Sequence, residues 1–159
     1  MRIAKVGKPI KFYYLSPANF PHKALVRKTI LRIFKEENKD IKALNFIFCS
    51  DAYLLKINRM YLGHNHYTDI ITFDFSSVQN EIIADVYISS DRIKENAYEL
   101  AIPRAEEYLR VIIHGALHLC GYKDKTREDK RRMRKAEDYY LKRHSKTVSR
   151  KTVSPRNKR

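Results

Sequence analysis

The chain has 159 residues, with 33 Lys and Arg against 18 Asp and Glu, a formal net charge of +15. That length suits one domain with a real core, and so large a charge points to a polyanionic partner, of which nucleic acid is the commonest. Composition excludes a membrane span and a secreted, disulfide-framed scaffold. No apolar run approaches spanning length, Met1 to Lys11 lacks the apolar stretch of a secretory signal, and the two cysteines, Cys49 and Cys120, fit a reducing cytoplasm.

Pro9 to Leu15 reads as a strand. Pro21 to Asn38 reads as an amphipathic helix, with Leu25, Val26, Thr29, Ile30, Ile33 and Phe34 on one stripe and Pro21 in the first turn. Lys42 to Cys49 is strand-like, with Leu44, Phe46 and Phe48 alternating. Ser50 is suited to cap a helix through Tyr61, and Gly63 to Tyr67 is a polar loop. Thr68 to Phe75 and Glu81 to Ser89 are β-branched and aromatic, hence strands, joined by a turn near Ser76 to Asn80. Ser90 or Asp91 is expected to cap a helix to Leu100, and Pro103 opens the next one. Thr126 and Asp129 have capping-box spacing before a last charged helix to about Arg143, whose apolar stripe is Met133, Ala136 and Tyr140. The order predicts an α+β domain, a small mixed sheet packed with about five helices.

Lys142 to Arg159 holds eight basic residues and no acidic ones, with a tandem repeat, Lys146-Thr-Val-Ser-Arg150 and Lys151-Thr-Val-Ser-Pro155. With almost no apolar content it reads as a disordered arm. The expectation is a domain over 1–143 and a basic tail over 144–159 that adds non-specific RNA affinity.

The chemistry concentrates between His114 and Asp124. Residues four apart on a helix lie within about 40° of each other, so His114 and His118 can face one ion. Gly121 suits the end of that helix, and the chain then reverses so that Asp124 can return as a third ligand. Two helical histidines, a glycine turn and a later ligand form a zincin-like frame. Three protein ligands leave a position open, as in catalytic sites. Without the glycine and the carboxylate, two such histidines would as readily be ordinary core or surface residues. Cys120 lies about 240° round the helix from His114 and is expected to pack as a small apolar residue. Zincin proteases carry a glutamate directly after the first histidine as general base; here Gly115 stands there, which opposes peptide hydrolysis.

The run Arg110-Val-Ile-Ile-His-Gly-Ala-Leu-His-Leu-Cys-Gly-Tyr122, together with the stretch Asn58 to Phe73, resembles the YbeY family over about Phe12 to Tyr140. The resemblance implies a bacterial metal-dependent endoribonuclease, specific for single strands. It would act on ribosomal RNA in small-subunit 3′-end maturation and ribosome quality control, with the small subunit as a partner. The family usually has a histidine where this chain has Asp124 and an aspartate where it has Lys123. Aspartate still ligates zinc through oxygen, and its charge should weaken the acidification of bound water. Oxygen ligation also raises the standing of harder ions such as Mn²⁺. The family also places an arginine after the tyrosine matching Tyr61, where this chain has Leu62. Arg59, one turn earlier, is a candidate phosphate contact in its stead, with His64 and Lys56 behind it.

The expected mechanism has His114, His118 and Asp124 holding one divalent metal, zinc first, that activates water and polarises a phosphoryl oxygen. The general base is open among Asp69, Glu81 and Asp85. Two other readings stand beside the nuclease: a zinc-stabilised RNA-binding or ribosome-assembly factor with little catalysis, and a metalloprotease.

Overall fold

The computed structural model describes residues 7–152. In chain order the elements are β1 (Ile10–Tyr14), α1 (Lys23–Glu36), β2 (Asp40–Cys49), α2 (Asp51–Ile57), a π-helical turn (Asn58–Leu62), β3 (Ile70–Asp74), β4 (Glu81–Ser89), α3 (Ser90–Glu99), α4 (Arg104–Leu119) and α5 (Arg127–Thr152). The strands form one sheet in the order β1-β2-β4-β3. β1, β2 and β4 run parallel. Only β3 is antiparallel, at the edge beside β4, as a short hairpin connection allows. The α+β expectation, with five helices on a small mixed sheet, is met.

Alternation along the strands sends Leu44, Phe46, Phe48, Val86 and Ile88 to one face, where they pack with Val26, Ile30, Ile33 and Ile112 from α1 and α4. The other face carries a smaller cluster of Cys49, Leu54, Ile57 and Ile71 under α2. Ser50 caps α2, accepting from Tyr53 N at 3.2 Å. For α3 the cap is Ser89, accepting from Arg92 N at 3.1 Å, one residue earlier than expected, so that β4 runs directly into the helix. Thr126 and Asp129 exchange hydrogen bonds at 3.2 and 3.0 Å, the reciprocal capping box before α5.

The expected disordered arm from residue 144 is corrected in part. α5 continues to Thr152, because its continuation is packed rather than solvated. His144 is 8 % exposed, and its Nδ1 lies 2.8 Å from Thr29 Oγ1 on α1. Val148 lines the same groove as Phe20, Val26 and Leu109. Residues 153–159, the rest of the expected tail, lie outside the described residues. Among the described residues no helix is long and apolar enough to cross a membrane.

Candidate metal centre

α4 lies against the sheet at Gly115. A Cβ there would sit 2.7 Å from Ile70 Cδ1 and 3.2 Å from Val86 Cγ1. This position therefore belongs to the helix–sheet contact, with no room for the glutamate that a zincin protease would carry. α4 closes with Gly121 N bonded to His118 O at 2.9 Å and Tyr122 N bonded to Leu117 O at 3.1 Å. Gly121 has φ 100°, a conformation that only glycine adopts without a Cβ clash. The Tyr122 hydroxyl then donates to Glu37 Oε1 at 3.1 Å, tying the turn to the end of α1.

That reversal brings Asp124 back to the two histidines. The two Nε2 atoms are 2.9 Å apart. Asp124 Oδ2 lies 3.6 Å from that of His114 and 3.3 Å from that of His118. One ligand atom from each residue lies within 4.8 Å of the others, so the three could hold one metal ion. Ligand–ligand edges of a tetrahedral zinc site with bonds of about 2.0–2.1 Å are about 3.3 Å, close to this triangle.

The outer nitrogens decide what the inner ones offer. His118 Nδ1 is 2.9 Å from the Tyr122 carbonyl oxygen, which can only accept, so the ring donates there. His114 Nδ1 is 2.5 Å from Glu137 Oε1, and a carboxylate fixes the same tautomer. In the neutral rings both Nε2 atoms then carry bare lone pairs. Three acceptors facing one another repel unless a cation lies among them. Histidines oriented from behind by a carboxylate and a carbonyl are the usual supports of metal-binding imidazoles. The donor set of two nitrogens and one oxygen fits a borderline-soft divalent ion.

Sequence reasoning missed Glu137. It is 7 % exposed and sits on α5, four residues after Met133 and three before Tyr140, hence on the buried stripe. A carboxylate on a buried stripe needs a partner, and that was the available signal. Arg110 reaches it at 3.8 Å and also bonds Glu107 through Nη2 at 2.6 Å and Nε at 2.9 Å. The hydrogen bond to Glu107, then burial opposing it, leaves the guanidinium pKa above its ordinary value. Cys120 stays out of the centre: burial pushes its thiol up to about 12, and thiols bind metal as thiolates.

The triad opens into a cleft of ≈ 460 Å³. One wall carries the triad and Lys125; the facing wall, from the π turn to β3, carries Leu62, His64, His66 and Asp69. Arg59 and Lys56 are not among the lining residues, and Arg59 Nε bonds Asn65 Oδ1 at 2.5 Å. Asp85 and Glu81 are elsewhere, accepting from Asn45 at 2.9 Å and pairing with Lys42 at 3.3 Å. Of the three candidate bases, only Asp69 lines the cleft.

Residues 16–145 match the family model described as Endoribonuclease YbeY. The chain belongs to the YbeY family. Proteins named Endoribonuclease YbeY from Cytophaga hutchinsonii and Karelsulcia muelleri are similar to it. The first is 50% identical over 119 residues, 75% of this chain and 83% of the relative. The second is 46% identical over 132 residues, 83% and 93%. A YbeY from Porphyromonas gingivalis is 40% identical over 131 residues, 81% and 86%. Among solved structures, a Thermotoga maritima protein determined in solution aligns with TM-score 0.59 and 25% identity over 94% of this chain and 99% of that one. The YbeY match spans the sheet, α4 and the part of α5 that supplies Glu137, so it covers every residue of the candidate centre.

Proposed function

We propose that this chain is a metal-dependent endoribonuclease that hydrolyses phosphodiesters of single-stranded RNA. Its substrate in this reading is ribosomal RNA, matured at the small-subunit 3′ end, with a further part in ribosome quality control in the cytoplasm. The observation that carries the reading is the convergence of two bare imidazole nitrogens and a carboxylate oxygen at one open cleft, on a YbeY chain of net charge +15.

His114, His118 and Asp124 would hold one divalent ion, zinc by its preference for such a donor set. A bound ion of this kind supplies Lewis acidity toward a phosphoryl oxygen and toward water. The rest is the chain's own work. Glu137 and the Tyr122 carbonyl hold each imidazole with Nε2 forward. Asp69 is the carboxylate on the cleft wall outside the triad, and it is the candidate to take a proton from the attacking water. The basic surface holds the strand by its phosphates. Gly115 opposes the protease reading twice, as a missing base and as a position without space for one.

The test measures metal content, then incubates labelled single-stranded RNA, duplex RNA and casein with wild type, His114→Ala and a chelated sample. Metal-dependent cleavage of the single strand, lost in His114→Ala and on chelation, is expected. Metal and RNA binding with no cleavage would replace the nuclease by an assembly factor, and casein cleavage would revive the protease.

A further inference from the structure

We propose that His64 and His66 form a two-imidazole grip for an RNA phosphate across the cleft from the metal triad, with Asn58 and Arg59 as its positioning residues. This rests on the endoribonuclease reading for the identity of the ligand. The geometry itself does not depend on it.

The loop Gly63 to Tyr67 is polar and exposed, yet it is fastened at successive residues. Gly63, at φ 65°, turns the chain out of the π turn. His64 N bonds Asn58 O at 3.2 Å. The Asn58 side chain, on a residue only 2 % exposed, donates to the His66 carbonyl at 2.8 Å. Arg59 Nε donates to Asn65 Oδ1, and the Arg92 guanidinium lies 5.0 Å from the Tyr67 ring centroid. So the backbone at 64 and 66 and the side chains at 65 and 67 are all engaged. What the loop leaves unengaged, among the described residues, is the pair of imidazoles.

Those two rings stack at 5.3 Å between centroids with 25° between their planes, and both line the cleft that holds the triad. Alternate residues of an extended segment point the same way, which is how His64 and His66 come to share a face. Imidazoles held side by side repel when both are protonated, and an anion between them relieves that repulsion. A phosphodiester offers two non-bridging oxygens to two ring N–H donors. Lys125, on the opposite wall, adds a cation to the same path. Apart from the triad, these three side chains are the cation-forming groups among the described lining residues. A strand crossing the cleft would meet the triad at one phosphate and the histidine pair at a neighbouring one.

The test separates this from the nuclease reading by measuring binding without cleavage. Fluorescence anisotropy of a labelled single-stranded RNA oligonucleotide is followed with the full chain in EDTA, for wild type, His64→Ala/His66→Ala and Arg59→Ala, across a salt series. The paired variant is expected to bind roughly 10-fold more weakly, and its log–log salt slope to fall by roughly 0.7 for each protonated imidazole taken away from the phosphate. Arg59→Ala should weaken binding less, and by almost nothing once both histidines are gone, because it acts through them. His64→Lys/His66→Lys should restore binding. With metal added, the paired alanine variant should raise KM with kcat little changed, as expected for a group that binds away from the reacting phosphate. Wild-type affinity and salt slope in the paired alanine variant overturn the grip, and so does additivity of Arg59→Ala with it. If wild type binds RNA through the pair but never cuts it, the nuclease reading falls and the grip stands.

Discussion

Replacing Glu137 with alanine tests whether a buried carboxylate sets the state of the metal centre. Glu137 accepts from His114 Nδ1 at 2.5 Å. Without it the ring loses its anchor and can present an N–H at Nε2 where a lone pair is needed. Removing supports of this type lowers metal affinity about 10–100-fold, or about 1.4–2.7 kcal/mol. The cost to the fold is a separate quantity. Arg110 loses a carboxylate at 3.8 Å but keeps both bonds to Glu107, so no guanidinium is orphaned. A loss of about 1–3 kcal/mol is expected, below the ~3–5 kcal/mol for breaking an isolated buried pair. Zinc affinity by chelator competition reads the first number, and a melt of the metal-free protein reads the second. Glu137→Gln keeps an acceptor oxygen and should fall between wild type and alanine in zinc affinity. Glu107→Gln should lower the melting temperature while leaving zinc affinity near wild type. A folded Glu137→Ala with wild-type zinc affinity would refute the idea that this carboxylate fixes the imidazole.

Three further outcomes are expected. An anionic ligand reduces the positive charge a bound ion offers, so Asp124→His should lower the apparent pKa of the pH–rate profile; an unchanged or higher value would count against that argument. Burial first, then nearby His22, holds His144 below the ordinary imidazole value of 6.5. The folded state thus keeps it neutral where the unfolded chain takes a proton. Its contribution is complete above about pH 6.5 and is lost as pH falls toward its folded pKa; His144→Leu should flatten that part of the melting-temperature profile in metal-free protein, and an unchanged slope would refute it. Truncation after Arg143 removes the Thr29–His144 hydrogen bond and the packing of Val148. It should therefore lower stability as well as RNA affinity, and a truncated chain that melts like wild type would show this end of α5 to be energetically idle.

The elements are legible where their period is undiluted. The stripe of α1 and the alternation of β2 mark both their extent and their inward faces, and the spacing of His114, His118 and Asp124 survives into a triangle of ligand atoms. What escapes is instructive in each case. The end of α5 looks like a solvated arm because its composition is basic, and its partner, Thr29, is 115 residues away in sequence. Helical spacing from Leu62 places Arg59 beside the cleft only if the helix is an ordinary α-helix. The turn over Asn58–Leu62 is π-helical, and its register sends Arg59 to Asn65 instead of into the cleft. The Tyr122 carbonyl is invisible at the level of sequence, since a main-chain acceptor has no sequence signature.

The same stripe that folds α5 also completes the metal centre. Met133, Glu137, Tyr140 and His144 recur at intervals of four, three and four, one face of a helix, and all four are buried. Docking α5 against α4 and α1 is therefore the step that delivers Glu137 to His114. A ligand that needs the docked state must in turn stabilise it. Zinc at about 100 times its Kd should add about 2.7 kcal/mol, which for a domain of this size is a rise in melting temperature of roughly 5–11 °C. Truncation after Arg143 leaves Glu137 in place, so it should lower the metal-free melting temperature yet preserve that increment. Glu137→Ala should shrink it in proportion to the lost affinity. If truncation abolished the zinc increment while Glu137→Ala retained it, the link between α5 and the centre would run through the end of the helix and not through this carboxylate.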